Sequence, residues 1–416
     1  MTAKKTVLII CNSDLSREPR VIRQIIALKD YYQITTLSAK PSAFKELQHF
    51  SLIDYPHEKP KHWNYPWLIR KFYSAGLHLY ELGKEFYPKY YYYKDYWTKS
   101  QKENLEQMQG KNFDLIIVHH WDSLPLGAIL AKKMNAKLIY NVHDYYERQF
   151  EDNPLWVNHQ QRLVQYLTNT YVPKCDLIFS AWTKIHNDYQ QHYGVPSIII
   201  NNATEYNELT PVMNDVEKNI RIIHHGIANS NRKIELMIEM MDYLDERFTL
   251  DLMLINSPYE LDYFIGLKKL AEKNPRIQFV PTVPTRQIAK TINAYDIGVF
   301  ILPPNGFNPT HLLPNKLFEF IQARLACLIT PNIEMKAIVS KYDLGWVADD
   351  FEPKSVAAII RNVTAQEINQ KKSNTHQHAY ELSAEINYKK MKAAVDSLLM
   401  KEEKKISMRR SNKIPV

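Results

Sequence analysis

The stretch His311–Thr330, HLLPNKLFEFIQARLACLIT, contains a lysine and a glutamate at a position where α/β proteins bind anions. Pro314 suits the start of a helix, and the apolar residues that follow recur at helical spacing. Lys316 and Glu319 therefore fall in the first turns of a helix that follows the apolar strand 297–302. Such helix N-termini present free N–H groups to phosphates. An ordinary crossover helix with a solvated Lys and Glu is the alternative that remains open.

Polar side chains also cluster after two strands in the first half of the chain. His119, His120 and Asp122 follow the predicted strand 114–118, and His143 and Asp144 follow the predicted strand 137–141. Because the carboxyl ends of parallel strands meet at one edge, we expect both clusters to line one crevice. The alternatives are structural histidines and a cap for the helix predicted at 124–134.

Strand and helix patterns alternate along most of the chain, which indicates parallel sheets. The order begins with strand 6–11, the loop 12–18 and a helix from Pro19. That loop contains no glycine, so the dinucleotide fingerprint GxGxxG is absent. A polar segment at 205–217 separates a second series, with helices predicted at 231–243 and 374–399. We predict an α/β protein with two doubly wound Rossmann-like domains that face each other across a cleft.

Composition limits the class of protein and of partner. The 416 residues carry a formal net charge of +8 and are 45% hydrophobic, which suits a multi-domain globular chain with anionic partners. The three cysteines show no CxxC spacing, so neither a disulfide framework nor a zinc site is predicted. No apolar run reaches the length of a membrane span, and we expect a cytoplasmic location.

The region from about 41 to 110 interrupts the alternation with prolines and aromatic residues. Its run YPKYYYYKDYW, residues 87–97, interleaves tyrosines with lysines. Such a surface suits peripheral contact with an anionic membrane on the inner face of the plasma membrane. A local aromatic core is the alternative, and a platform for single-stranded nucleic acid is favoured less than either. The residues 401–416 form a basic tail.

Five motifs occur in an order that resembles retaining glycosyltransferases of the GT-B fold. The resemblance is to the large family 4 group, which includes capsule, exopolysaccharide and lipopolysaccharide transferases. The motifs are HWD with LPL at 120–126, YNVHDYY at 140–146, YGV at 193–195 leading to NNA at 201–203, HHG at 224–226 leading to Arg232, and PNKLFEF at 314–320.

The resemblance implies a nucleotide-sugar site in the C-terminal half. Glu319 matches the second glutamate of the family's EX7E pattern and would accept hydrogen bonds from the donor ribose; His311 stands at the first. Arg232 and Lys316 would stabilise the leaving diphosphate as charge develops, because Ile227 occupies the family's other basic position. The further donor-binding residues that the resemblance implies are Gly226, Leu312, Leu313 and Asn315.

The N-terminal half would bind the acceptor. His143 matches the family's active-site histidine, which would contact the donor sugar. The predicted acceptor-side residues are His120, Asp122, Asp144, Ser13 and Arg17. The resemblance implies front-face transfer, in which the donor phosphate helps to deprotonate the acceptor. No DxD-type metal motif occurs in a plausible place, so neither a metal nor another cofactor is predicted.

The predicted function is retaining transfer of a sugar from a nucleotide-sugar to a glycan or lipid-linked glycan in bacterial surface polysaccharide synthesis. The predicted domains are 1–205 on the acceptor side, 206–373 on the donor side, a helix at 374–400 that crosses back, and the tail 401–416. A catalytically silent GT-B scaffold or partner subunit is the alternative, because His311 and Ile227 replace charged residues. A nucleotide-sugar epimerase is a variant within the enzyme class. No nucleic-acid-binding motif is present, and nucleic acid is not a predicted partner.

Overall fold

The computed structural model describes residues 4–53, 99–214, 219–257 and 260–411, together with the single positions 79, 83, 87, 89, 90, 96 and 97. The chain forms two compact units. The first comprises Met1–Ile200 and Tyr388–Val416, and the second comprises Asn201–Asn387. The membrane-contact prediction for Tyr91, Tyr92 and Tyr93 lies outside the described residues.

The first unit is built on a parallel sheet whose seven described strands lie in the order β3-β2-β1-β4-β5-β6-β7. The central strands contain apolar runs, such as those at 7–11 and 115–118, because helices cover both faces of such a sheet. Their bounds are β1 Thr6–Asp14, β2 Gln33–Lys40, β3 Gln48–Ser51, β4 Leu115–His119, β5 Lys137–Val142, β6 Leu177–Ser180 and β7 Ser197–Ile199.

Helices alternate with these strands along the chain. They are α1 Pro19–Leu28, α2 Lys99–Gln107, α3 His120–Met134, α4 Pro154–Trp156, α5 Arg162–Tyr171 and α6 Thr183–Tyr193. The long C-terminal helix, α15 Ala384–Ser411, contributes Met391, Val395 and Leu399 to the core of this unit. The hydroxyl of Tyr32 donates a hydrogen bond to Asp396 of the same helix.

The second unit repeats this design with six described strands in the order β10-β9-β8-β11-β12-β13, all parallel. The strands are β8 Ile220–Ile227, β9 Phe248–Ile255, β10 Ile277–Phe279, β11 Ile297–Phe300, β12 Ala326–Ile329 and β13 Gly345–Val347. The helices are α7 Glu235–Met240, α8 Leu261–Ala271, α9 Ile288–Ile292, α10 Phe307–His311, α11 Asn315–Gln322, α12 Ile333–Lys341, α13 Pro353–Ile360 and α14 Ala365–His378. Helix α15 begins in this unit and belongs to the first unit from Tyr388 onward. The prediction of two doubly wound parallel-sheet α/β domains is confirmed.

Several predicted bounds were wrong. Helix α3 begins at His120, four residues before the predicted start, so His120 and Asp122 belong to its first turn. The predicted helix 231–243 is instead a 3-10 turn, Ser230–Arg232, followed by α7 and a second 3-10 turn. Lys233, which takes a left-handed φ of 50°, separates the first 3-10 turn from α7. Strand β3 lies in the region that was expected to interrupt the alternation.

The C-terminal helical stretch is also divided. Helix α14 ends at His378, and α15 begins at Ala384. Tertiary partners satisfy the backbone at the break, because Gln322 donates to the Ala379 carbonyl at 2.7 Å and the Ala384 amide donates to Thr204 at 2.9 Å. Helix α15 continues to Ser411, into the stretch predicted as a basic tail. None of the helices in the described residues combines the length and hydropathy needed to cross a bilayer.

Candidate active site

Helix α11 places two ionisable side chains inside the second unit. Lys316 is 7% exposed and Glu319 is 8% exposed. The alternative in which both are solvated on a crossover helix is therefore wrong. Burial of a charged side chain is costly unless other groups compensate for the lost water. The residues around Lys316 and Glu319 thus decide what this helix can bind.

The ammonium of Lys316 lies against Gly226, near the end of β8. A Cβ built on Gly226 would lie 2.4 Å from Lys316 Nζ, so only a glycine admits the ammonium in this position. Gly226 also has a φ of 131°, a conformation that side-chain-bearing residues rarely adopt. Gly226 thus allows both this backbone conformation and the close approach of the Lys316 ammonium.

The charge of Lys316 is held in an unfavourable environment. Burial, followed by the nearby charge of Arg232, lowers the pKa of Lys316 to about 7, and Glu319 opposes this shift. Arg232 is half-buried, and burial lowers its pKa too. A bound anion would stabilise both of these buried cations in their charged form.

Two histidines of β8 complete this cluster. His225 Nε2 lies 3.4 Å from Glu319 Oε2, without the alignment of a hydrogen bond. Burial and the charge of Lys316 lower the pKa of His225 well below its usual value, so the ring is neutral. His224 Nδ1 donates to the Val299 carbonyl at 2.9 Å, which fixes its orientation, and burial lowers its pKa to about 3.

The remaining predicted donor-side residues lie just before or at the start of α11. His311 Nδ1 donates to the Phe307 carbonyl at 3.0 Å, and its ring stacks on Phe307 at 4.3 Å between centroids. Its Nε2 is the nitrogen that remains for a ligand. The Leu313 carbonyl already accepts from Asn202 at 2.8 Å. Leu312 and Asn315 are half-buried.

The first unit contains a second cluster, at the carboxyl ends of β4 and β5. His143 is 3% exposed, and its Nε2 lies 2.9 Å from His119 Nδ1. The other nitrogen of His119 lies 2.7 Å from Gln24 Oε1, on helix α1. Burial is the main cause that lowers the pKa of both histidines well below the usual value. Both imidazoles are therefore neutral near pH 7.

His120 packs beside His143, with ring centroids 5.2 Å apart. Its Nδ1 lies 2.8 Å from the hydroxyl of Tyr146, and its buried Nε2 has no hydrogen-bond partner among the described residues. His120 has a φ of 61°, which is uncommon for a residue with a Cβ. Strain at such a position is typical of functional sites.

The other acceptor-side residues divide into two groups. Asp122 accepts a hydrogen bond from Asn12 at 2.9 Å, and burial raises the pKa of its carboxyl group. Asp144 is half-buried, and its charge adds to burial in raising the pKa of Tyr146. In contrast, Ser13 interacts with Cys11 Sγ at 3.0 Å, and the side chain of Arg17 is 87% exposed, 4.0 Å from Asp14. The described contacts do not join Ser13 or Arg17 to the histidines.

Sequence reasoning missed Arg20 and Gln24. After burial, the charge of Arg20 contributes to the lowered pKa of His119 and of His143, and it opposes the raised pKa of Tyr146, so Arg20 acts on this group of side chains. A signal was present, because a cation in the first turn of a helix opposes the helix dipole and needs a reason. Gln24 carries no such signal, since its role depends on a partner 95 residues away.

One family model is similar to part of the chain. Residues 49–208 match the model of Glycosyltransferase Family 4. The matched segment includes His119, His120 and His143, and it ends before Arg232 and Lys316. No curated protein sequence matches the chain significantly.

Solved structures match over nearly the whole chain. HepE from Anabaena in complex with UDP-glucose is 14% identical, with a TM-score of 0.66 over 94% of this chain and 99% of that one. Sucrose-phosphate synthase from Thermosynechococcus elongatus is 13% identical, with a TM-score of 0.69 over 95% and 100%. WaaG, a glycosyltransferase involved in lipopolysaccharide biosynthesis, is 11% identical, with a TM-score of 0.59 over 92% and 99%.

These likenesses confirm the GT-B fold, and residues 49–208 are similar to Glycosyltransferase Family 4. The retaining mechanism and the polysaccharide type stay predictions. Within the described ranges, no group of three or more His, Cys, Asp or Glu side chains has an arrangement that could hold a metal ion.

Proposed function

We propose that this protein transfers a sugar from a nucleoside diphosphate sugar to a hydroxyl group of a glycan or lipid-linked glycan, with retention of configuration. The observation that carries the proposal is the group of Lys316, Arg232 and Glu319, called the Lys316 cluster, in which burial lowers the pKa of both cations and the charge of Arg232 lowers that of Lys316 further. A diphosphate supplies the negative charge that this pair lacks. The family 4 match and the GT-B fold support the same reaction.

The diphosphate, the ribose and the sugar of the donor each have a candidate partner. The Lys316 cluster would bind the diphosphate, and Glu319 would accept hydrogen bonds from the ribose hydroxyl groups. His311, through its Nε2, would contact the sugar in place of the expected glutamate. HepE has been solved in complex with UDP and with UDP-glucose, so uridine diphosphate sugars are the first donors to test.

The chemistry follows from charge. As the bond between the anomeric carbon and the diphosphate oxygen breaks, negative charge grows on the leaving group, and Lys316 and Arg232 would stabilise it. The acceptor oxygen forms the new bond on the same face, and its proton passes to the departing phosphate oxygen. His143 would hold a hydroxyl group of the donor sugar during this step.

A thermal-shift screen with UDP-, GDP-, ADP- and CMP-linked sugars tests donor binding. A ligand that binds only the folded state raises the apparent stability by about 2.7 kcal/mol at one hundred times its dissociation constant. We expect one diphosphate class to stabilise the wild type and Glu319→Ala to bind it about 10 to 100 times more weakly, since hydrogen bonds to charged groups contribute about 1.5–3 kcal/mol. Glu272→Ala, at an exposed position, is the matched control.

Transfer is tested with the donor so identified. Product formation above a His143→Ala control, with a product whose anomeric configuration by NMR equals that of the donor, would support the retaining reaction. Donor binding without transfer to any offered acceptor would favour the silent scaffold, which His311 and Ile227 motivate. Product without an acceptor would indicate an epimerase or hydrolase.

We also propose a cytoplasmic location with peripheral contact to an anionic membrane. Tyr87 is 70% exposed and Tyr90 is 64% exposed, beside lysines in the sequence. Amphipathic rings and basic side chains favour the headgroup region. We expect binding to phosphatidylserine vesicles that weakens with salt and on replacing Tyr90 by serine. Tyr243→Ser, at an exposed tyrosine of the second unit, is the control, and binding unaffected by salt and by Tyr90→Ser would reject the contact.

A further inference from the structure

A chain of three side chains runs from helix α1 to the candidate catalytic histidine. Gln24 and His119 are fully buried, and His143 is nearly so. Gln24 Oε1 lies 2.7 Å from His119 Nε2, and His119 Nδ1 lies 2.9 Å from His143 Nε2. These two hydrogen bonds use both ring nitrogens of His119 and the Nε2 of His143. His143 Nδ1 is the one ring nitrogen of the two histidines that takes no part in them.

The partners determine where the protons lie. An amide oxygen only accepts hydrogen bonds, so His119 Nε2 carries a proton and donates it to Gln24. A neutral His119 then has a lone pair on Nδ1, and the contact at 2.9 Å requires a proton on His143 Nε2. A neutral His143 in turn has a lone pair on Nδ1.

The surroundings keep both rings neutral. Burial is the first cause, and the charges of Arg20 and Arg23, with the neighbouring His119 and His120, add to it at His143. Addition of a second proton to either ring would place a further positive charge beside these groups. The ring of His119 and the ring of His143 therefore each carry one proton.

We propose that Gln24 and His119 are positioning residues that hold His143 as its Nε2–H tautomer and present Nδ1 as a hydrogen-bond acceptor. This inference deepens the proposed function, because it states what His143 offers to the donor sugar. An acceptor at Nδ1 binds a sugar hydroxyl group through its hydrogen. It gives no hydrogen bond to a fluorine or an ether oxygen at the same place.

Nitrogen NMR of the full chain with labelled histidine tests the tautomer. The wild type is expected to show protonated Nε2 and unprotonated Nδ1 at His143, with the signals assigned by comparison with His143→Gln. Gln24→Glu keeps an acceptor at the end of the chain and should preserve this pattern. Gln24→Met removes the acceptor and should shift the tautomer population by about tenfold, the effect of one hydrogen bond.

Two results would overturn the proposal. One is a proton on His143 Nδ1 in the wild type, which is the pattern expected if the amide nitrogen of Gln24 faced His119. The other is an unchanged tautomer in a folded Gln24→Met protein. Gln33→Met, on the exposed first residue of β2, is the control for a general effect of the substitution.

Kinetics separate positioning from simple support of the fold. With an active donor, Gln24→Met should lower kcat while the KM for the donor stays unchanged, and Gln24→Glu should restore kcat. An equal loss of kcat in both variants would oppose the positioning role. The tautomer is read without any activity, so a failed search for a substrate leaves the NMR result valid.

Discussion

Replacing Gly226 by alanine tests the contact on which the proposed donor site depends. The added Cβ would lie 2.4 Å from Nζ and 2.7 Å from Cε of Lys316, whereas ordinary contacts begin near 3.4 Å. The ammonium must therefore move away by about 1 Å. The φ of 131° adds strain that a glycine does not have.

The expected size of both effects can be worked out. At an effective dielectric constant of about 20, moving a unit charge from about 3 to about 4 Å from one phosphate charge costs about 1.4 kcal/mol, or about tenfold in affinity. Backbone strain of this kind costs about 1–3 kcal/mol of folding free energy. We expect Gly226→Ala to bind UDP about tenfold more weakly and to lose about 1–3 kcal/mol of folding free energy.

A double-mutant cycle with Lys316→Ala separates the two effects. UDP affinity is measured by calorimetry and the free energy of unfolding by chemical denaturation. Without the ammonium, Gly226→Ala should leave affinity unchanged while the loss of stability persists. Gly266→Ala is the control, because that helical glycine has nothing within 4 Å of its Cβ position. Its affinity should stay at the wild-type value and its stability should rise by about 0.5–1 kcal/mol. A tenfold affinity loss from Gly226→Ala that is equally large in the Lys316→Ala background would refute the reasoning.

Three further outcomes are expected. The pKa of Lys316 is about 7 in the free protein, and a bound diphosphate raises it, so UDP affinity should fall as the pH rises above about 7. Calorimetry from pH 6 to 9 should show this fall in the wild type and in the control variant Lys336→Met. The fall should be absent in Lys316→Met. Gly345→Ala should prevent folding of the second unit, because its Cβ would lie 1.9 Å from the Cys327 carbonyl oxygen of the neighbouring strand; a cooperative unfolding transition at the wild-type denaturant concentration would contradict this. Burial raises the pKa of Cys11 to about 12, so its thiol should react with a disulfide reagent at pH 8 only after denaturant is added, and rapid reaction of the native protein at Cys11 would count against the buried position.

Much of the fold was predictable because it depends on local patterns. Apolar runs such as 114–118 and 297–302 predicted buried parallel strands, and Pro19 and Pro314 predicted where helices begin. Helix bounds were less predictable where tertiary contacts act. Helix α3 includes Pro125 and starts directly at the end of β4, so the proline is no guide to its N-terminus.

The candidate residues were predictable as types and positions, and their states were not. Polar residues after strands marked His143, and the start of α11 marked Lys316 and Glu319. Whether these side chains were solvated depended on what covers them, and the structure buries Lys316 and Glu319. The sequence around Gly226 gave no sign that its missing side chain makes room for a lysine 90 positions later.

The sequence by itself determined the order of strands and helices and the polar groups at their ends, because these follow from the chemistry of neighbouring residues. Only the tertiary structure decided the contacts between distant residues: Gln24 with His119, His119 with His143, and Gly226 with Lys316. The physical reason is that burial and the pairing of ionisable groups arise between segments far apart in the chain. These contacts set the proton positions and pKa values on which the proposed chemistry depends.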